Sequence, residues 1–125
     1  VGHSDADVLI HAIIDALLGA AGLPDIGRQF PDTSPEFKGI DSKILLQRTM
    51  EMIREKGFEI GNIDAAIIIE QPRISPYIPS MTGTLASVMS VAPDRISVKA
   101  KTSEKLGFIG REEGISAHAV ALLEK

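Results

Sequence analysis

The chain has no cysteine and no tryptophan. Without thiols there is neither a disulfide framework nor a thiolate metal site, and the composition is compatible with a reducing cytosol. Aromatic residues make up 4% of the 125 residues and hydrophobic residues 44%, so the core has to be built from Ile, Leu, Val, Met and Ala. A chain of this length forms one domain, and one with so few bulky rings leans on oligomerisation for further burial. No apolar run approaches the roughly 20 residues that span a bilayer and no signal peptide is visible, which predicts a soluble, cytoplasmic protein without a membrane partner. A basic run is missing too: 13 basic and 17 acidic residues are interspersed, for a net charge of −4. A general nucleic-acid-binding module needs a positive track along the phosphate backbone, so that class is excluded. The chain opens on Val1-Gly2-His3 rather than Met, already in the approach to a helix. The expectation is a single domain over residues 1–125 that lacks an N-terminal strand region.

What is present begins with Gly2-His3-Ser4-Asp5-Ala6-Asp7-Val8-Leu9-Ile10-His11-Ala12-Ile13-Ile14-Asp15. Ser4 or Asp5 ahead of an apolar-periodic run predicts an N-cap and a helix from about Asp5 to Ala20 or Ala21, with His3 just outside it. Val8, Ala12 and Leu17 are expected on its buried face. At 3.6 residues per turn, Asp7, His11 and Asp15 form one stripe. Two readings of the stripe stand side by side: a metal-ligating imidazole whose tautomer a neighbouring carboxylate fixes, or a partly exposed histidine hydrogen-bonded to Asp15.

The segment from Leu23 to Gly39 is dense in Pro, Gly and Asp and reads as a long loop, a surface connection or a functional one. A second helix is predicted from Asp41 to Lys56, with Leu45, Leu46, Thr49, Met50 and Ile53 inward and Gly57 as its stop. Phe58 to Ile60 begins a strand that Gly61-Asn62 interrupts. It resumes from Ile63 to Glu70, and its run of consecutive apolar residues marks a strand covered on both faces. Pro72 and Pro76 break the chain around Arg73, and a third helix follows from about Ile78 or Pro79 to Val91. Arg95 to Lys101 and Ile115 to Leu123 alternate as strands on either side of a loop with three glycines. The order helix, helix, strand, helix, strand, strand gives an α+β domain: a mixed β-sheet with helices packed on one face.

No Walker loop or dinucleotide fingerprint is present. A Ser-His-Asp hydrolase can be posed on Ser4 or Ser103, but neither serine has a nucleophile-elbow context. Histidine and carboxylates near a helix N-terminus fit a metal-assisted phosphate site better.

Four blocks, His3-Ser4-Asp5-Ala6-Asp7 with His11, Asp25-Ile26-Gly27 with Phe30-Pro31-Asp32-Thr33, Thr102-Ser103-Glu104-Lys105-Leu106-Gly107-Phe108, and Gly110-Arg111-Glu112-Glu113-Gly114, together closely resemble the 2-C-methyl-D-erythritol 2,4-cyclodiphosphate synthase family. The resemblance runs in order from Gly2 to the C-terminus. It implies a lyase of the non-mevalonate isoprenoid pathway that converts 4-diphosphocytidyl-2-C-methyl-D-erythritol 2-phosphate to the cyclic diphosphate and CMP. It implies a homotrimer with sheets packed around the threefold axis and active sites between subunits, an axial cavity that can hold an isoprenoid diphosphate, and a plastid stroma location if the source is plant-like.

By the same resemblance His11 is a zinc ligand and Glu104 helps hold Mg²⁺ or Mn²⁺. His3 and Thr102 match the positions that stabilise the transition state, with Ser4 on a phosphate. Asp25, Ile26, Gly27, Phe30, Pro31, Asp32, Thr33 and Ser34 match the methylerythritol region. Arg73, Lys101, Thr102, Ser103 and Glu104 match the cytidine diphosphate pocket, and Phe108 and Arg111 lie near the substrate phosphate and the axis. Asp15 is expected to orient His11, by inference from the stripe alone.

Two departures stand out. The family's other zinc ligands come from an Asp-x-His motif on a strand upstream of His3, and His118 stands where an acid is expected in the central cavity. Two other readings use the same residues. One is a trimeric phosphate- or isoprenoid-binding regulator with an incomplete metal site; the other is a metal-dependent phosphohydrolase in which water replaces the internal nucleophile.

Overall fold

A computed structural model describes residues 3–31, 41–69, 75–101 and 115–125. The described elements are α1 (His3–Ala20), α2 (Ile26–Gln29), α3 (Ser42–Glu55), β1 (Glu59–Ile68), α4 (Ile78–Met89), β2 (Ile96–Lys101) and β3 (Ser116–Glu124). The three strands form a mixed sheet in the order β2-β1-β3, with β1 parallel to β2 and antiparallel to β3. A parallel pair needs a crossover, and α4 supplies it between β1 and β2. Helix α1 lies over β3 and β1, α4 over β2, and α3 packs against both helices. The α+β architecture expected from the element order is the one observed.

Helix α1 starts at His3, two residues before the expected start. Ser4 and Asp5 therefore fall inside its first turn, and neither is its N-cap. Its buried face also differs from expectation: Val8 and Ala12 are only half-buried, whereas Leu9, Ile10, Ile13, Ile14, Leu17 and Leu18 are buried. Two adjacent residues per turn make an apolar arc wide enough to cover the sheet and α3 together. In α3 the pattern is as expected, with Leu45, Leu46, Thr49, Met50 and Ile53 inward and Asp41 capping Lys43 N–H at 2.8 Å. Gly57, at φ +90°, follows it in the left-handed region that favours glycine.

Strand β1 is not interrupted at Gly61-Asn62. One extra residue enters the ladder between Ile60 and Asn62, where Ile60 faces Leu123 and Asn62 faces Leu122. A bulge shifts the side-chain alternation by one, so Ile60 and Ile63 both face the core. Arg95 donates to the Ile60 and Gly61 carbonyls at 3.1 and 3.2 Å, supplying the partners that an irregular backbone needs. Ile63, Ala65 and Ile67, with Ile96 and Val98 of β2, form the sheet's contribution to one core. The buried polar residues Ser42 and Thr49 are both satisfied, by the Asp7 carboxylate and by the Leu45 carbonyl at 2.9 Å.

Candidate active site

The Asp7, His11 and Asp15 stripe lies on the exposed side of α1. Each carboxylate reaches a different part of the chain. Asp7 Oδ1 accepts from the buried hydroxyl of Ser42, the first residue of α3, at 2.5 Å. Asp15 Oδ1 accepts from the backbone N–H of Ile26, the first residue of α2, at 2.8 Å. His11, one turn from each, is exposed and has no hydrogen bond or ion pair among the described residues. Asp15, expected to orient His11, has no hydrogen bond to it among the described residues; its Oδ1 serves the main chain of α2.

The segment after α1, expected as a loop throughout, contains the one-turn helix α2. Asp25 is its N-cap and accepts from Arg28 N–H at 3.0 Å. Capping of this kind competes well with open loop because it satisfies first-turn donors. Asp25-Ile26-Gly27 is thereby held against α1, close in the fold to the His11 turn. Phe30 closes the turn through its N–H to the Ile26 carbonyl at 2.8 Å, and its ring is buried in the core at 7% exposure. Its side chain thus anchors α2, and Pro31 beside it is half-buried. Lys101 ends β2 with its side chain exposed and its carbonyl bonded to Ile69 N–H at 3.0 Å.

His3 and Ser4 stand in the first turn of α1, roughly 12 Å of helix rise from His11 for His3. Asp32, Thr33, Ser34, Arg73, Thr102, Ser103, Glu104, Phe108 and Arg111 lie outside the described residues. Among the described residues no group of three His, Asp or Glu side chains is placed to hold a metal ion. A tetrahedral zinc site needs three or four donors. His11 alone offers one, so the described residues do not by themselves fit the metal.

A cavity of about 460 Å³ opens where α1, α3 and α4 begin, lined by Asp7, Ser42, Lys43, Ser80 and Thr84 among others. Sequence reasoning assigned chemistry to Asp7 alone of these. The cavity is assembled from three segments remote in sequence, and no local spacing announces it.

The YgbB family model matches residues 1–124. A 2-C-methyl-D-erythritol 2,4-cyclodiphosphate synthase from Porphyromonas gingivalis is 66% identical over 122 residues, which is 98% of this chain and 75% of that protein. The bifunctional IspDF structure from Campylobacter jejuni aligns with a TM-score of 0.89 at 43% identity, covering 93% of this chain; the chain spans 31% of that larger protein. IspF from Plasmodium falciparum, solved as a CDP complex, aligns with a TM-score of 0.83 at 37% identity, over 98% of this chain and 74% of that one.

Proposed function

Since the chain belongs to the YgbB family, we infer how its residues carry out the cyclodiphosphate-forming reaction named in its relatives. The enzyme is a lyase of isoprenoid biosynthesis. The 2-phosphate of 4-diphosphocytidyl-2-C-methyl-D-erythritol 2-phosphate attacks the diphosphate phosphorus that bears methylerythritol. The bond from that phosphorus to the bridging oxygen breaks, CMP leaves with the oxygen, and the eight-membered cyclic diphosphate closes.

A phosphate monoester is already largely ionised at neutral pH, with a second pKa of about 6. No strong general base is required. The barrier lies in bringing anionic groups together in line, so positioning and compensating charge carry the catalysis. His3 and Thr102 stabilise the transition state in this reading, with Ser4 on a phosphate beside the start of α1. Asp25, Ile26 and Gly27, followed by Phe30 to Ser34, hold methylerythritol and its phosphate. Arg73 and Lys101 to Glu104 hold the cytidine diphosphate, and Phe108 and Arg111 complete the phosphate end. Binding of a nucleotide diphosphate is supported by the CDP complexes of the aligned structures.

Synthases of this family are metal-dependent. His11 is proposed as one zinc ligand, its partners lying beyond the described residues, and Glu104 as a ligand of Mg²⁺ or Mn²⁺. Such cations would supply charge neutralisation at the phosphates. The assembly proposed is a homotrimer of single-domain subunits over residues 1–125, with sites between subunits and an axial cavity open to an isoprenoid diphosphate. A cytoplasmic location goes with this reading, and no described helix is long and apolar enough to cross a membrane.

The observation that supports the site assignment is the docking of Asp25-Ile26-Gly27 onto α1 through Asp15, one turn from a His11 that has no hydrogen bond or ion pair among the described residues. Phosphorus NMR of the purified protein with the cytidylyl substrate tests the reaction. Equimolar cyclic diphosphate and CMP are expected. Open-chain phosphates would instead mean hydrolysis, and unchanged substrate with saturable binding would mean a binding protein.

A further inference from the structure

Both carboxylates of the α1 stripe are spent on the ends of one connection. Asp15 takes the N–H of Ile26, eleven residues on, and Asp7 takes the hydroxyl of Ser42, thirty-five residues on. Ile26 and Ser42 are the first residues of α2 and α3. The imidazole of His11 is left between two anchors, one turn to either side.

At α2 the local and remote caps divide the work. The side chain of Asp25 already accepts from Arg28 N–H, so it does not reach the N–H of Ile26, and Asp15 satisfies that donor from another element. The bond joins α1 to main chain and not to a side chain. It therefore fixes where the Asp25-Ile26-Gly27 backbone runs relative to His11 whichever rotamers those residues adopt. Phe30, buried below α2, secures the other end of the same turn.

We propose that Asp15 is a positioning residue, holding the Asp25-Ile26-Gly27 turn in register with His11 through the Ile26 amide, and that it does not act by orienting the imidazole. The proposal rests on the reading of Asp25 to Gly27 as substrate-binding residues. Asp7 plays the matching part at Ser42, where a buried hydroxyl has the carboxylate as its partner.

The test compares D15A and D15N in the intact protein. An amide side chain keeps an oxygen that accepts from Ile26 N–H at nearly the same place, whereas alanine removes the acceptor. Hydrogen–deuterium exchange reads the anchor without relying on activity. In D15A the amides of residues 26–30 should exchange about tenfold faster, the size expected for losing one hydrogen bond, while those of 45–53 stay unchanged. D15N should return most of that protection. In steady-state kinetics D15A should raise KM about tenfold with kcat altered less than about threefold, because ground-state and transition-state binding are lost together. Zinc content should not change.

Unaltered exchange at residues 26–30 overturns the anchor, as does D15N exchanging as fast as D15A. Loss of zinc in D15A together with unaltered KM returns Asp15 to the imidazole. If the exchange result holds while wild-type protein forms no cyclic diphosphate, the anchor stands and the substrate reading of the turn falls.

Discussion

His11 is exposed on α1, and its truncation to alanine leaves no hole in the core. A surface substitution of this kind usually changes stability by less than about 0.5 kcal/mol. If the imidazole is one of a few donors to zinc, its removal should nevertheless release the ion, since losing one of three or four ligands opens the site. In H11A, bound zinc should fall to a small fraction of the wild-type content by elemental mass spectrometry, with unchanged sedimentation and far-UV spectrum. Retained zinc would remove His11 from the ligand set. The stripe that contains it was legible because i, i+4 spacing is a local property of a helix. The roles of its carboxylates were not legible, because their partners, Ile26 and Ser42, come from turns that close only in the folded chain.

At the scale of elements, periodicity located α3, α4, β2 and β3 within a residue or two, since each has one covered face and one open face. It failed where two determinants compete. Gly61-Asn62 reads as a break, yet the strand continues by absorbing Gly61 as a bulge against β3. A Cβ on Gly61 would stand 3.1 Å from the Leu122 carbonyl and 2.8 Å from Glu124 Oε1. The carboxylate can swing away, but the carbonyl belongs to the ladder. G61A should therefore destabilise the fold by about 1–3 kcal/mol, as overpacking does. Gly83 gives the opposite expectation: it sits inside α4 with nothing within 4 Å of its Cβ position. There alanine should gain about 0.5–1 kcal/mol from helix propensity. Denaturant titration of the pair checks both signs, and a stable G61A would mean that β1 and β3 separate at the bulge at little cost.

At the scale of the whole molecule, the described elements cover the sheet unevenly. Helices cover the sheet face that carries Ile63, Ala65 and Ile67, while the other face carries Ala66 and Ile68, half-buried, with Val120 and Leu122 at 71% and 61% exposure. The unbroken apolar run of β1 already implied cover on both sides. What the run does not encode is the strand order, which depends on pairing between distant segments and decides which residues share the open face. Two pairs of described polar groups on that face are matched within the chain: Lys99 with Asp64, and Ser116 Oγ with His118 Nε2 at 3.1 Å. Covering Lys99 and Asp64 together buries an ion pair and not a lone charge, which would be the costly case. In the proposed trimer this face packs around the axis, and burying a Val or Leu side chain contributes roughly 1.5–3 kcal/mol apiece. Replacing Val120 and Leu122 together with lysine puts six like charges near the axis. The double variant should sediment as a monomer with a native far-UV spectrum and should lose cyclase activity if subunits share the sites. Ile44→Lys is the control, because Ile44 is an exposed apolar residue of α3 on the helical side, 42% accessible, and it should leave the assembly intact. A double variant that stays trimeric would place the interface elsewhere, and the apolar strand face would need another occupant.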